Sequence, residues 1–385
     1  MASKETIKLS TDKKLFLLGV LFKQFYVLPS GFLQLGDIFM LLSFLSHFYP
    51  LRTIPIQNED NKLKVFIGCI CLINGIYSAL YLSVAFFLSI FYYIFNFCIV
   101  LVFGRLMYDR AFLSRLKKVL VLNLLIQLGV LVSGLGRTLY TRYQGTFNDP
   151  NQYGFFILST FLLISLIDNI DGKIGYTLVC FVLSLILIFP SASTGMLLAF
   201  GLFIVFFVIF SEKLQKKDII RFLLILIILL CVIVLADMEL IKLPNFINDS
   251  LIYKRLMYKI NNFSEDSGDL IKDRQWNKVF LYPEKLLYGA GEGYFQRFNS
   301  LSEIHSSILG PLWYYGIVPC SFWFSWCYSK IKKVNKSMLC VYIALIIESI
   351  TLVHNRQPFF WMIFVLAGCS GNQTRSCEIH YTSDS

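Results

Sequence analysis

The chain has 385 residues, of which 56% are hydrophobic, 16% aromatic and only 15% charged, with a formal net charge of +11. That composition excludes a soluble enzyme and describes an integral membrane protein. The positive charge does not signal a nucleic-acid partner, because its distribution along the chain reports orientation instead.

A crossing needs about 20 mainly apolar residues. Apolar runs predict spans at 15–29, 33–50, 64–79, 83–104, 118–135, 153–170, 174–190, 194–211, 218–236, 306–328, 337–353 and 356–370. The expected fold is all-α, a polytopic transmembrane helix bundle of about twelve spans with one long, partly helical outer loop. Residues 1–236 form the N-terminal spans, 237–304 the loop, 305–371 the C-terminal spans and 372–385 a cytoplasmic tail. The first span follows Lys13-Lys14 and lacks a small-residue cleavage site, so it reads as a retained span. With the N-terminus inside, the inner segments carry 22 basic residues and the short outer loops three, Arg137, Arg142 and Arg356. This asymmetry places both termini in the cytoplasm. Nine of the ten cysteines fall within spans and none in an outer loop, so they read as small apolar fillers.

In chain order, the unusual polar residues fall on the outer side. Arg142 opens the segment Arg142-Tyr-Gln-Gly-Thr-Phe-Asn-Asp-Pro-Asn151. There Asn148 or Asp149 caps the sixth span, with Pro150 at its first position. Arg142 has no such structural role and is a candidate anion contact. Ser191-Ala-Ser-Thr-Gly195 reads as a tight turn. Lys23 and Asp37, near span ends, are expected to snorkel to the interface. Glu348 is an intramembrane charge, which marks either a functional group or one with a partner in the bundle.

The stretch 237–304 is too long and too aromatic for an idle linker. Ser250 is a candidate cap for an amphipathic helix in the interface plane. A second helix is expected from Asp269 to Tyr282, carrying Arg274 and Trp276. With nine basic and ten acidic residues the loop is nearly neutral, so individual arginines must do any anion binding. Gly289, Gly291 and Gly293 permit close backbone approach. His305, before Ser306 and Ser307, begins the next span, and His354-Asn-Arg356 precedes the last one. The four outer segments are expected to converge on one cavity. Asp149, Glu292 and Glu303 read as too scattered for a metal site.

Arg274-x-Trp276, then Leu287-Tyr-Gly-Ala-Gly-Glu-Gly-Tyr-Phe295, then His305-Ser-Ser and Gly316-Ile317, resemble the signature of the bacterial O-antigen polymerase and O-antigen ligase superfamily of polytopic membrane glycosyltransferases. Gly145-Thr-Phe-Asn-Asp-Pro-Asn151 is similar to its other common motif, and the resemblance runs from about Leu33 to Leu366. Many members carry an arginine after the serines of the 191–195 turn, where this chain has Thr194. That departure shifts weight onto Arg142, Arg274 and Arg356.

The resemblance implies a GT-C-like fold in the bacterial cytoplasmic (inner) membrane, making capsule or lipopolysaccharide glycan. It implies glycosyl transfer on the outer face from an undecaprenyl-diphosphate-linked oligosaccharide, without metal or cofactor. Membrane lipids, a flippase and a chain-length regulator are the partners it suggests, and no nucleic acid. Arginine suits the diphosphate, being always charged and able to donate two parallel hydrogen bonds. Histidine suits the proton of the acceptor hydroxyl. His305 and Arg274 are therefore the expected catalytic residues, and Arg142, Asn148, Asn151, Gly291, Gly293 and Arg356 the expected substrate contacts. A repeat-unit polymerase, a ligase, a transporter of the same glycans and a non-catalytic assembly factor all stay open as readings.

Overall fold

The structure, a computed structural model, describes residues 9–28, 33–49, 58–139, 142–172, 175–210, 271–300 and 302–370. The expected span at 218–236 and the interfacial helix from Ser250 lie outside the described residues.

The fold is mostly helical. In chain order come α1 Thr11–Phe22, α2 Leu35–His47, α3 Asn61–Tyr81, α4 Ala85–Leu106, α5 Arg110–Val132, α6 Pro150–Ile170, α7 Gly175–Ile188 and α8 Thr194–Phe210. Three short helices follow, α9 Asn277–Leu281, α10 Lys285–Tyr288 and α11 Leu309–Tyr315. The chain then forms α12 Ile317–Ile331, α13 Leu339–Thr351 and α14 Pro358–Ser370. A two-stranded antiparallel ribbon, β1 Arg137–Leu139 and β2 Arg142–Gly145, sits between α5 and α6.

The long helices alternate in direction between two ends of the bundle. At one end Lys13 pairs with Asp109 at 2.5 Å and Lys330 with Asp60 at 3.0 Å. At the other, Tyr26 N–H donates to the Thr146 carbonyl and the Tyr77 hydroxyl to the Gly289 carbonyl. Gly368 lies against Met107 and Lys330, so α14 finishes at the end where α1 begins. Three helical stretches are long and apolar enough to cross a membrane, Asn58–Tyr81, Ala85–Leu106 and Pro150–Ile170. Shorter apolar helices surround them, among them α2, α8 and most of α14.

Helix α6 is the hub. Asp149 caps it, its carboxylate accepting from the Asn151 and Gln152 N–H groups, and Pro150 occupies the first turn. Its apolar window is 89% buried, against 33% for Asn58–Tyr81, which places α6 inside the bundle and α3 at its rim. The buried Asp168 on α6 is paired: its carboxylate accepts from Lys117 Nζ at 3.1 Å and from Thr177 N–H at 2.7 Å.

Three local expectations are corrected. Lys23 and Asp37 do not snorkel; they form a buried ion pair at 2.7 Å. The cause is a close crossing of α1 and α2: a Cβ on Gly36 would lie 2.7 Å from the Gly19 carbonyl oxygen, so the backbones bring the two side chains together before either reaches the surface. The expected 306–328 helix is broken at Gly316, whose φ of +82° no L side chain adopts easily, and where a Cβ would meet the Leu287 carbonyl at 2.6 Å. The expected helix over 269–282 breaks within the turn at Arg274–Trp276, where Gln275 has φ +58°.

Candidate functional site

Loops at one end of the bundle build the site, and each is tied to another by side chains the sequence places at its turns. Arg142 donates from Nε to the Ser191 carbonyl at 2.9 Å and from Nη2 to Asn151 Oδ1 at 2.8 Å. It therefore does have a structural role, clamping the 142–151 segment onto the 189–193 turn. Asn148 accepts from Arg137 Nη1 and donates to the Leu28 carbonyl. Gly195 packs against Thr351, joining that turn to the end of α13.

The glycine-rich segment is pressed flat against its neighbours. Ala290 N–H donates to the Trp313 carbonyl at 3.0 Å and Gly291 N–H to the Tyr314 carbonyl at 2.7 Å. A Cβ on Gly291 would lie 2.6 Å from the Tyr77 ring, and one on Gly293 2.8 Å from the Ala85 carbonyl. Arg297 holds the segment from the other side, donating from Nη2 to the carbonyls of Ala290 and Gly291. Its guanidinium sits within 5.2 Å of the rings of Tyr77, Tyr81, Phe86 and Phe298. Sequence reasoning missed this residue; Phe295-Gln-Arg-Phe298, a cation among aromatics, was the available signal. Lys278, also missed, is buried, with Nζ 2.5 Å from the Ser302 carbonyl. Burial pushes its pKa down to about 8, against the opposing pull of Glu303.

Arg274 and His305 are neighbours. The His305 N–H donates to the Arg274 carbonyl at 3.0 Å, and Arg274 Nη1 donates to the Thr351 carbonyl at 2.5 Å. The rest of the Arg274 fork makes no hydrogen bond among the described residues. Nor does the half-buried His305 imidazole. Burial lowers the His305 pKa; Arg274 and Arg356 add to that, and Glu303 and Asp149 oppose it. Groups from three separate segments thus lie within electrostatic reach of this one imidazole. At the entry to the next helix the Ser306 hydroxyl accepts from the Ile308 and Leu309 N–H groups. Ser307 stitches this strand of loop to α13, donating from both N–H and hydroxyl to the Leu352 carbonyl.

Arg356 is the hub of the site. Its Nη2 bonds both Glu292 and Glu303, and its Nε donates to Glu292 Oε1 at 3.1 Å. Burial favours the neutral guanidine, but Glu303 and Glu292 outweigh it and hold the Arg356 pKa above its ordinary value. Two of the three acids that read as scattered in sequence, Glu292 and Glu303, therefore meet on one guanidinium. Glu292 is fixed: its Oε2 accepts from the Tyr315 hydroxyl at 2.5 Å and its N–H donates to Asn74 Oδ1 at 2.9 Å. Glu303 is about a quarter exposed and has only Arg356 as a hydrogen-bond partner among the described residues.

Two cavities meet at Arg356 and Tyr92. One, of about 370 Å³, is lined by Ser89, Gln296, Glu303, Tyr294 and the Gly293 backbone. The other, of about 170 Å³, is mainly apolar and lined by Leu33, Leu41, Phe91, Ile94 and Phe95, with Lys23 and Asp37 at its edge. Arg356 Cζ lies 5.4 Å from the centre of the Tyr92 ring between them. The chain matches no protein-family model, and no curated protein matches it.

Proposed function

We propose that the protein is a surface-polysaccharide polymerase of the bacterial cytoplasmic membrane, joining undecaprenyl-diphosphate-linked repeat units on its outer face. The observation that carries the reading is the position of Arg356 at the junction of a mainly apolar cleft and a larger cavity of mixed polar and apolar lining. A lipid-linked glycan has that chemical order: an apolar chain, two phosphates, then sugar. Arg356, with the part of the Arg274 fork that makes no hydrogen bond among the described residues, supplies charge near where the diphosphate would lie, and stabilises the negative charge left on it as the glycosidic bond breaks. His305, whose ring nitrogens make no hydrogen bond among the described residues, orients the acceptor hydroxyl or takes its proton. In this reading the site end faces outward, both termini are cytoplasmic and the chain crosses the membrane about twelve times. A ligase would use the same donor site with a different acceptor, a lipid-A core or a protein.

One observation favours a second reading, a transporter of the same glycans: ionisable pairs are buried inside the bundle at Lys23–Asp37 and Glu348–His354. The experiment that separates them uses purified protein in lipid nanodiscs with synthetic lipid-diphosphate oligosaccharide, scored for polymer length on gels. Polymer formed by wild type, and lost in Arg356→Lys and Arg274→Lys because lysine lacks the bidentate fork, supports the polymerase. Absence of any transfer by folded wild type, with glycan movement across proteoliposomes, establishes the transporter instead. Cysteine labelling at the exposed positions 138 and 299 from outside, and at 115 and 333 from inside, tests the orientation.

A further inference from the structure

We infer that Glu303 is the proton acceptor of the transfer, masked by Arg356 until a diphosphate draws the guanidinium away. The inference rests on the glycosyl-transfer reading above and assigns within it a role that was left to His305.

Glu303 and Arg356 are the only charged residues lining the larger cavity among the described residues, and neither His305 nor Arg274 lines it. Arg356 holds two carboxylates that differ in how they are anchored. Glu292 is almost fully buried and tied to Tyr315 and, through its backbone, to Asn74. Glu303 lies on the irregular segment 302–306 with Arg356 as its one hydrogen-bond partner among the described residues. A dianionic ligand competing for Arg356 therefore displaces Glu303 in preference to Glu292. An ion-paired carboxylate is a poor base, because its partner stabilises the charged form. Once the guanidinium turns to the phosphates, the carboxylate loses that partner and gains negative neighbours, and both changes favour taking up a proton. Base strength is thus coupled to donor binding, which protects the free enzyme from idle proton uptake.

In the step itself, the acceptor hydroxyl oxygen forms a bond to the anomeric carbon as the bond from that carbon to the diphosphate oxygen breaks. The bonding pair leaves on the diphosphate, held by Arg356 with Arg274 adding charge from beyond the cavity lining, and the hydroxyl proton passes to a Glu303 carboxylate oxygen. Proton and leaving group are both accounted for without a further reactant. His305 is left to orient the acceptor.

The test compares Glu303→Gln, Glu303→Ala, Glu303→Asp and His305→Asn in the nanodisc assay, with donor binding measured separately using a fluorescent lipid-diphosphate glycan. The expected result is that Glu303→Gln loses turnover by roughly 10²–10⁴-fold while binding donor at least as tightly as wild type, since glutamine no longer competes for Arg356 as an anion. Added formate should restore part of the activity of Glu303→Ala and none to Glu303→Gln, whose side chain still fills the space. His305→Asn should lose less than Glu303→Gln. Near-normal turnover by Glu303→Gln overturns the inference. So does a Glu303→Ala variant that binds donor and stays inactive at every formate concentration. Wild type that binds the fluorescent glycan but never transfers it defeats the underlying reading, whereas active Glu303→Gln defeats only the assignment of the base.

Discussion

His354 Nε2 lies 2.6 Å from Glu348 Oε1 in the bundle interior, and its imidazole stacks on Phe155 with ring centroids 3.8 Å apart. Both side chains are almost wholly buried, and neither Glu348 carboxylate oxygen nor His354 Nε2 makes a hydrogen bond among the described residues, so the pair meets by close contact alone. The pair ties α13 to the turn that carries Arg356, since His354 N–H also donates to Ser307 Oγ at 2.7 Å. Removing one member strands the other in an apolar interior, which costs about 3–5 kcal/mol for a buried pair. Glu348→Leu should therefore lower thermal stability in detergent sharply. The double variant Glu348→Leu/His354→Phe should recover much of that loss, because a packed apolar pair replaces two buried polar groups. Strictly additive losses in the double variant would show that the two groups are not coupled.

Arg142 was expected to meet an anion, and the structure gives its guanidinium to Ser191 and Asn151. Arg142→Lys keeps the charge and loses the fork, at a cost of roughly 1.5–3 kcal/mol for hydrogen bonds to a charged group. The expected signature is a lower unfolding temperature with an unchanged KM for donor in the protein that remains folded. A raised KM at unchanged stability would return Arg142 to the substrate.

Gly291 has φ +69° and no room for a methyl group against Tyr77. Gly291→Ala pays about 1–2 kcal/mol for the left-handed backbone alone, and the contact adds to it. Because the segment carries Glu292, the variant should shift the carboxylate that anchors Arg356 and reduce turnover more than donor affinity. Limited proteolysis around 289–297 gives the structural readout, and a cleavage pattern identical to wild type argues against the role of the glycine.

The Lys278 amine has its folded pKa depressed to about 8 from 10.5 by burial. Between those values the unfolded chain holds a proton that the folded chain lacks, so this group's contribution to stability grows as pH rises and is lost as pH falls through about 8. Wild type should thus gain stability relative to Lys278→Met between pH 7.5 and 9.5, read as a difference in unfolding temperature. Parallel curves for the two proteins across that range would mean the amine is exposed and ordinarily charged.

Much of the architecture was legible along the chain because its causes are local. Apolar runs of helical length mark α3, α4 and α6, and the Asn-Asp-Pro sequence marks the start of α6, where Asp149 caps. The glycines of 289–293 announced a close approach before their neighbours Tyr77, Ala85 and Tyr314 were known. What the linear pattern could not contain is which distant groups face each other. Glu292, Glu303 and Arg356 are separated by up to 64 positions and meet on one guanidinium. Lys23 and Asp37 meet because two glycines let their helices touch, not because of their spacing. Charges and arginine forks act over a few ångströms and in any direction, so their partners are decided by packing. Helix formation acts along the backbone, so its signals stay in sequence order; the breaks at Gln275 and Gly316 mark where tertiary contact overrode them.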